Sequence, residues 1–450
     1  MNERIEANGA PLLLAMGLGG LLALLLVFPD LRAGLGALVA VSAMGVAFIN
    51  PRPVLFLIPF AIALTPEIRV GVPLRLEDFL MLPLAAGWLA RQCVFKDHRR
   101  TPFDRLLLGY LAVGFAATIW GGYLGTVNLL GLTKDFGATF HLLKRAEFVL
   151  LFLIVCDTLA TPRDVQRMIY VLIAAMLGLS AFALLQYLGR APSIVPADPG
   201  HEAGLGSMLV VALALSLLPA AGRTAKLLLV GVILFAVAAL PPTLGRNYIA
   251  TTVVVMLYIG LFYQRWVLLF FPLAWIAGLY LYPPEIVAHV LTLRHVFSLD
   301  PTGAATGGAS FLSRLAPPTY FGLFGLGHSP VLGFGLASRD LGAFDSEYAT
   351  QLFYTGLIGL AIFLILGARL FRVTGEVMRA AADPLNAAVA RGFHLVWIAY
   401  VAHSIFSPSI SASRVGAVFF LVAGLLVVLH RSLVQPPEPG EALLARAAQS

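Results

Sequence analysis

Residues 310–360 read S-F-L-S-R-L-A-P-P-T-Y-F-G-L-F-G-L-G-H-S-P-V-L-G-F-G-L-A-S-R-D-L-G-A-F-D-S-E-Y-A-T-Q-L-F-Y-T-G-L-I-G-L. The stretch gathers Arg314, His328, Arg339, Asp340, Asp345 and Glu347 among glycines and prolines. From Tyr348 onward it becomes an apolar run. It closes the longest interval in the chain without an apolar span. Polar loops held by a rigid scaffold tend to carry function, so the flanking sequence decides what that scaffold is.

The flanks are apolar. The chain has 450 residues, 59% of them hydrophobic and only 12% charged, with a mean hydropathy of +0.89. A soluble domain carries roughly 25% charged residues. Apolar runs of about 18 residues or more recur throughout. The sequence therefore predicts an all-α polytopic integral membrane protein of about 12–14 transmembrane helices. The net charge of +7 does not point to nucleic acid, because the arginines are dispersed between spans and no basic run is interleaved with exposed aromatics. Orientation and anionic lipid account for it.

Spans are expected near 11–28, 35–49, 53–65, 78–95, 104–121, 146–160, 165–188, 203–220, 225–240, 247–263, 267–282, 348–371, 390–408 and 414–431. The pair at 35–49 and 53–65 is short and reads as re-entrant or tilted. Arg4 before the run Pro11 to Phe28 resembles a signal peptide, but no convincing small-x-small cleavage site follows and further spans come at once, so it is read as the first span. This gives N-terminal transmembrane helices over 1–282, a long loop with short amphipathic helices over 283–347, C-terminal transmembrane helices over 348–433, and a polar tail over 434–450. Within the loop, Val287 to Leu299 reads as an interfacial helix. Cys93 and Cys156, the only cysteines, fall near the same ends of their spans, and neither a disulfide nor a metal cage is expected.

Lys and Arg set the orientation. One set of alternating connections holds 18 of the 30, with clusters at 96–105 and 369–391. That set, with both termini, is assigned to the cytoplasm, and the loop 283–347 to the opposite face. The remaining twelve cations stand outside against the rule, so each needs a reason, and several have two readings. Arg246, in P-P-T-L-G-R-N-Y-I-A, follows Pro241-Pro242, which should end the preceding helix. It either snorkels to headgroups or faces a ligand. Arg314 either touches interfacial phosphate or binds substrate. Arg69 precedes and Arg75 lies within P-L-R-L-E-D-F-L, where Glu77 and Asp78 enter a span and Asp78 either pairs with Arg75 or serves function. Lys144, Arg145 and Glu147, in H-L-L-K-R-A-E-F, open another span as a local charge pair or as part of an outer vestibule. Guanidinium groups take phosphate in bidentate fashion, so the ligand of such a vestibule would be a lipid-linked phosphate or pyrophosphate.

His328, in G-L-G-H-S-P-V-L-G-F-G, is structural or lies where glycines let backbone approach a ligand. Asp345 and Glu347 either complement a helix dipole or include a general base. His403 reads as a packing residue. No HExxH, Walker A, GxSxG, CxxC or DxD-like pattern is present, and neither cofactor nor metal is expected.

These residues carry a resemblance. An Arg-bearing segment, S-P-V-L-G-F-G, an acidic dyad and then Y-A-T-Q-L-F-Y-T-G-L-I-G-L close a long late loop. With P-L-R-L-E-D-F-L, L-K-R-A-E-F and L-G-R-N-Y-I-A, the layout is similar to the O-antigen ligase and O-antigen polymerase superfamily of bacterial envelopes. The resemblance implies a GT-C-like, metal-independent glycosyltransferase of the inner membrane. It would take glycan from an undecaprenyl-pyrophosphate carrier at the periplasmic face and pass it to a glycan acceptor, alongside membrane lipids and other envelope polysaccharide assembly proteins. Arg246 and Arg314 would hold the pyrophosphate. Asp345, Glu347 or His328 would act as base, and Arg69, Arg75, Asp78, Lys144, Arg145, Arg339 and Tyr348 would line the substrate. The glycine-rich turn would leave room for two glycan chains. Ligases carry a His where this chain has Asp345-Ser346-Glu347-Tyr348, which favours a polymerase of exopolysaccharide or O-antigen. A ligase in lipopolysaccharide or protein glycosylation is the first alternative. A flippase or transporter is the second, disfavoured by spans whose centres read as nearly free of charge and by the absence of a repeat.

Overall fold

A computed structural model describes residues 42–64, 68–70, 72–74, 76–95, 98–127, 137–187, 199–243, 245–280, 282–291, 324, 327–336, 346–407 and 413–435. After a helical stretch at 42–49 come α1 (Arg52–Leu64), α2 (Leu76–Phe95), α3 (Asp104–Tyr123), α4 (Ala138–Thr158), α5 (Pro162–Tyr187), α6 (Pro199–Leu217), α7 (Arg223–Ala239), α8 (Arg246–Phe262), α9 (Trp266–Leu279), α10 (Pro284–Leu291), α11 (Glu347–Ala380), α12 (Pro384–Phe406) and α13 (Ser413–Leu433). Seven of these, α3, α5, α6, α7, α11, α12 and α13, are long and apolar enough to cross a membrane. The chain is an all-α polytopic membrane protein. Fewer helices pass that test than the 12–14 expected, for visible reasons. α1 and α8 are apolar but short, α9 has 14 residues, α2 carries Glu77, Asp78 and Arg91, and α4 carries Lys144, Arg145, Glu147 and Asp157. The expected span at 11–28 lies outside the described residues.

One element departs from the all-helical expectation. Between α1 and α2, Ile68–Val70 (β1) and Val72–Leu74 (β2) pair antiparallel, with Ile68 opposite Leu74 and Arg69 opposite Pro73. The sequence I-R-V-G-V-P-L places β-branched residues on both sides of a glycine, which suits a tight hairpin better than a helix.

α6 and α13 form the centre. In α13 the run Val415 to Leu429 is buried almost without a break, and a helix that is apolar all round belongs inside. α6 packs against α5, α7, α8 and α12, while α13 packs against α4 and α11. Small residues bring α5 and α6 close: Ser180 Oγ and Ser207 Oγ lie 2.9 Å apart. A Cβ on Gly206 would sit 3.2 Å from the Met176 carbonyl oxygen. Close approach over small residues is how helices associate in lipid. α3 and α11 pack on each other at the rim. Leu108, Phe115, Leu364 and Ile365 point outward there, an apolar surface suited to acyl chains.

Hydrogen bonds fix which helix ends lie together. At one end the Asp157 carboxylate, at the close of α4, accepts from Trp88 Nε1 (3.1 Å), Gln92 Nε2 (3.2 Å) and the Arg99 backbone N–H (3.0 Å), and meets His98 Nδ1 at 3.0 Å. At the same end Arg52 bridges to Asp164 at 3.2 Å. Arg431 donates to the carbonyls of Cys156 and Leu159, and Arg369 donates to Pro102 O. These contacts join the connections that the positive-charge pattern groups on one side.

Candidate functional site

The opposite end holds a buried polar cluster. Lys144 and Arg145 were expected at the mouth of a span starting near 146. Instead α4 begins at Ala138, after Gly137, because A-T-F-H-L-L-K-R-A contains no helix breaker. Seven residues of rise place Arg145 about 10 Å inside the helix. Both cations are buried, which in a membrane demands partners. Lys144 finds Asp78 on α2 and, at 2.9 Å, Glu147 on its own helix. Asp78 therefore has an inter-helix partner in Lys144. Arg75, its other expected partner, lies outside the described residues.

Arg145 faces inward. Its Cζ lies 4.5 Å from the centre of the Tyr110 ring on α3, a cation–π geometry. Its Nη2 donates to Gln351 Oε1 at 3.3 Å, and Gln351 Nε2 donates to Glu347 Oε1 at 2.6 Å. Glu347 is 0% exposed. Gln351, one helical turn after Glu347 on α11, thus relays between that buried carboxylate and the buried cation on α4. A short chain of contacts continues from here. Ser346 Oγ donates to Ser404 O, and neighbouring His403, itself buried, stacks on Tyr248 with ring centres 4.5 Å apart. Tyr248 is two residues into α8, the helix that Arg246 begins. The Tyr348 hydroxyl reaches Val401 O at 3.4 Å.

α11 is not continuous. At Gly356 the backbone adopts φ 66, ψ −166. The turn Ser329-Pro-Val-Leu-Gly-Phe-Gly335 splices the gap. Phe334 N–H donates to Phe353 O (2.9 Å) and Gly335 N–H to Tyr354 O (3.0 Å). Beyond the break, Leu357 N–H donates to Pro330 O (2.8 Å) and Ile358 N–H to Val331 O (3.4 Å). Two carbonyls before the break and two N–H groups after it are thus answered by the turn, as a low-dielectric setting requires. α3 and the residues just after it pin the turn from behind: Trp120 Nε1 donates to Ser329 Oγ (2.9 Å) and Thr126 Oγ1 to Phe334 O (2.7 Å).

This corrects the reading of the glycines. A Cβ on Gly333 would lie 2.4 Å from Phe353 O, and one on Gly335 2.9 Å from Ala117 O. Both glycines have positive φ. They admit neighbouring protein backbone, not a ligand or two glycan chains. His328 is exposed, stacks on Phe324 at 4.1 Å, and has Nδ1 2.9 Å from Phe324 O.

Of the expected site residues, Asp78, Lys144, Arg145, Glu347 and Tyr348 thus lie at this end of the bundle. Arg246 begins α8, whose first turn touches the cluster's edge through Tyr248. Arg69 lies in β1. Arg75, Arg314, Arg339 and Asp345 fall outside the described residues. Sequence reading passed over Gln351, Tyr110 and Tyr248, and counted Arg414, buried at the start of α13, only among the outside cations. The signal available for Gln351 was its spacing, four residues after Glu347 on one helix face. Among the described residues no group of His, Cys, Asp and Glu could hold a metal ion. A search of protein-family models finds none that matches this chain, and a search of curated proteins finds no match either.

Proposed function

We propose that the chain is a membrane glycosyltransferase that polymerises undecaprenyl-pyrophosphate-linked oligosaccharide repeat units at the outer face of a bacterial inner membrane. One observation carries the reading. P-L-R-L-E-D-F-L, L-K-R-A-E-F and the segment around Glu347 and Gln351 are far apart in sequence. They meet at one end of the bundle through Asp78–Lys144–Glu147 and Arg145–Gln351–Glu347. These are among the segments that carry the resemblance to O-antigen polymerases and ligases.

In the proposed reaction an acceptor sugar hydroxyl attacks the donor's anomeric carbon. The bond from that carbon to the carrier pyrophosphate breaks, and the configuration inverts. Arg246 and Arg314 stabilise the charge that develops on the departing pyrophosphate. The hydroxyl proton passes to Asp345 or to the exposed His328. Glu347, wholly buried and bonded by Gln351, takes a positional role: it holds Gln351 against Arg145 and fixes the start of α11 beside α4.

Alanine at Arg246 or Arg314 tests the reading. In a normally expressed and folded protein, either variant should abolish polymer assembly, and retained assembly would remove the proposed site.

A second reading has one observation in its favour. A helix broken at Gly356, with Arg145 and Glu347 buried beside it, also suits a transporter of lipid-linked glycans. Movement of a fluorescent lipid-pyrophosphate between leaflets, with no glycan transfer, would select it.

A further inference from the structure

A cleft of about 1060 Å³ opens at the arginine-rich end of the bundle, far from the polar cluster and unused by the chemistry proposed above. It lies between the 98–103 connection, the first turn of α3, the far end of α11 and the last turn of α13. Four arginines line it, Arg100, Arg105, Arg369 and Arg372, against two carboxylates, Asp104 and Glu376.

Both carboxylates are already engaged. Asp104 accepts from the backbone N–H and hydroxyl of Thr101. Glu376 bridges Arg372 Nε at 3.0 Å and His430 Nε2 at 2.9 Å. Arg369 uses one nitrogen on Pro102 O. Arg100 and Arg105 are exposed and make no ion pair or hydrogen bond among the described residues. The cleft therefore presents unspent guanidinium donors, the group that suits phosphate oxygens best.

Its second property is apolar. Leu108 lies one turn along α3 from Arg105, is 63% exposed and is part of the same wall. Leu364 and Ile365 stand outward on α11, one turn from Arg369. Charge at the helix ends thus continues into the lipid-facing rim of α3 and α11. A free phosphate has no use for that strip, whereas a lipid uses both.

We propose that this cleft binds the phosphate headgroup of an anionic phospholipid in the leaflet at the arginine-rich end, with the acyl chains along the rim of α3 and α11. The proposal does not depend on the glycosyltransferase reading.

The test uses the full-length protein in phosphatidylcholine nanodiscs with a titrated fraction of fluorescently labelled phosphatidylglycerol. The double variant R100A/R105A removes the unspent cations from an exposed surface, and an unchanged melting temperature checks its fold. The variant R223A removes an arginine at the same end but away from the cleft. Binding by R100A/R105A should be about 30-fold weaker, the size expected from two lost arginine contacts, with R223A like wild type. Equal binding by R100A/R105A and wild type would overturn the site. An equal loss in R223A would mean general surface charge and would also overturn it. Displacement of the lipid by millimolar inorganic phosphate would identify a soluble-anion site and reject the lipid.

Discussion

Gly356→Ala is the substitution on which the description of the broken helix depends most. At φ 66, ψ −166 an alanine costs about 1–3 kcal/mol in backbone strain alone. Its Cβ would also stand 2.2 Å from Val331 O, 2.4 Å from Val331 C and 2.7 Å from Leu332 N. These are backbone atoms and cannot rotate away, so the turn at 329–335 has to leave. That removes the bonds from Phe334 to Phe353, Gly335 to Tyr354 and Leu357 to Pro330. Each bond lost costs about 1–3 kcal/mol. Strain and lost bonds together come to about 4–12 kcal/mol, on the order of the stability of a whole domain. The control lies on the same helix. Gly375 has nothing within 4 Å of its added Cβ, and alanine there should stabilise the helix by about 1 kcal/mol. Thermal unfolding in detergent, with limited proteolysis at residues 329–336, reads both variants. G356A should melt far below wild type and expose the turn to protease, while G375A should do neither. If G356A melts with wild type and keeps the turn protected, the turn does not hold the break.

Three other perturbations have defined outcomes. R145A removes the cation beside Gln351 and Glu347 and should cost about 3–5 kcal/mol; adding E347A should cost less than the sum of the singles, and strict additivity in denaturant unfolding would show that the relay through Gln351 carries no coupling. D157N leaves one oxygen where a carboxylate serves Trp88, Gln92, His98 and Arg99, and should cost about 1–3 kcal/mol; an unchanged melting curve would contradict its role in joining the helix ends. W120F deletes the donor to Ser329 Oγ and should cost about 1 kcal/mol, with faster hydrogen exchange at 329–335; unchanged exchange would show that α3 does not pin the turn.

Much of the scaffold was legible because a bilayer asks for long apolar runs. The runs near 104–121, 165–188 and 414–431 correspond to α3, α5 and α13. Pro241-Pro242 marked the gap between α7 and α8, and Arg246 begins the second helix as its position suggested. Hydropathy misled where a helix continues through charge. α4 starts at Ala138, ahead of Lys144 and Arg145, so these cations are in the bundle and not at its mouth. α11 likewise runs on through R-V-T-G-E-V-M-R-A until Asp383 caps α12, its side chain accepting the Asn386 N–H. The break at Gly356 was not legible, since its cause is the distant turn at 329–335 and no local pattern distinguishes Gly356 from Gly359 or Gly367. The same holds for Gly333 and Gly335: positive φ explains why they are glycine, but only tertiary contact shows that backbone fills the space. Asp78 chose Lys144, a partner 66 positions away, which no local charge pattern could reveal.

The most direct measurement is reconstitution of the purified chain with an undecaprenyl-pyrophosphate oligosaccharide as sole substrate, followed by separation of the products by length. The proposed function predicts a ladder of whole repeat units with released undecaprenyl pyrophosphate, absent in R246A. A single transfer that occurs only when lipid A core or protein is added, or no transfer with any acceptor, would contradict it.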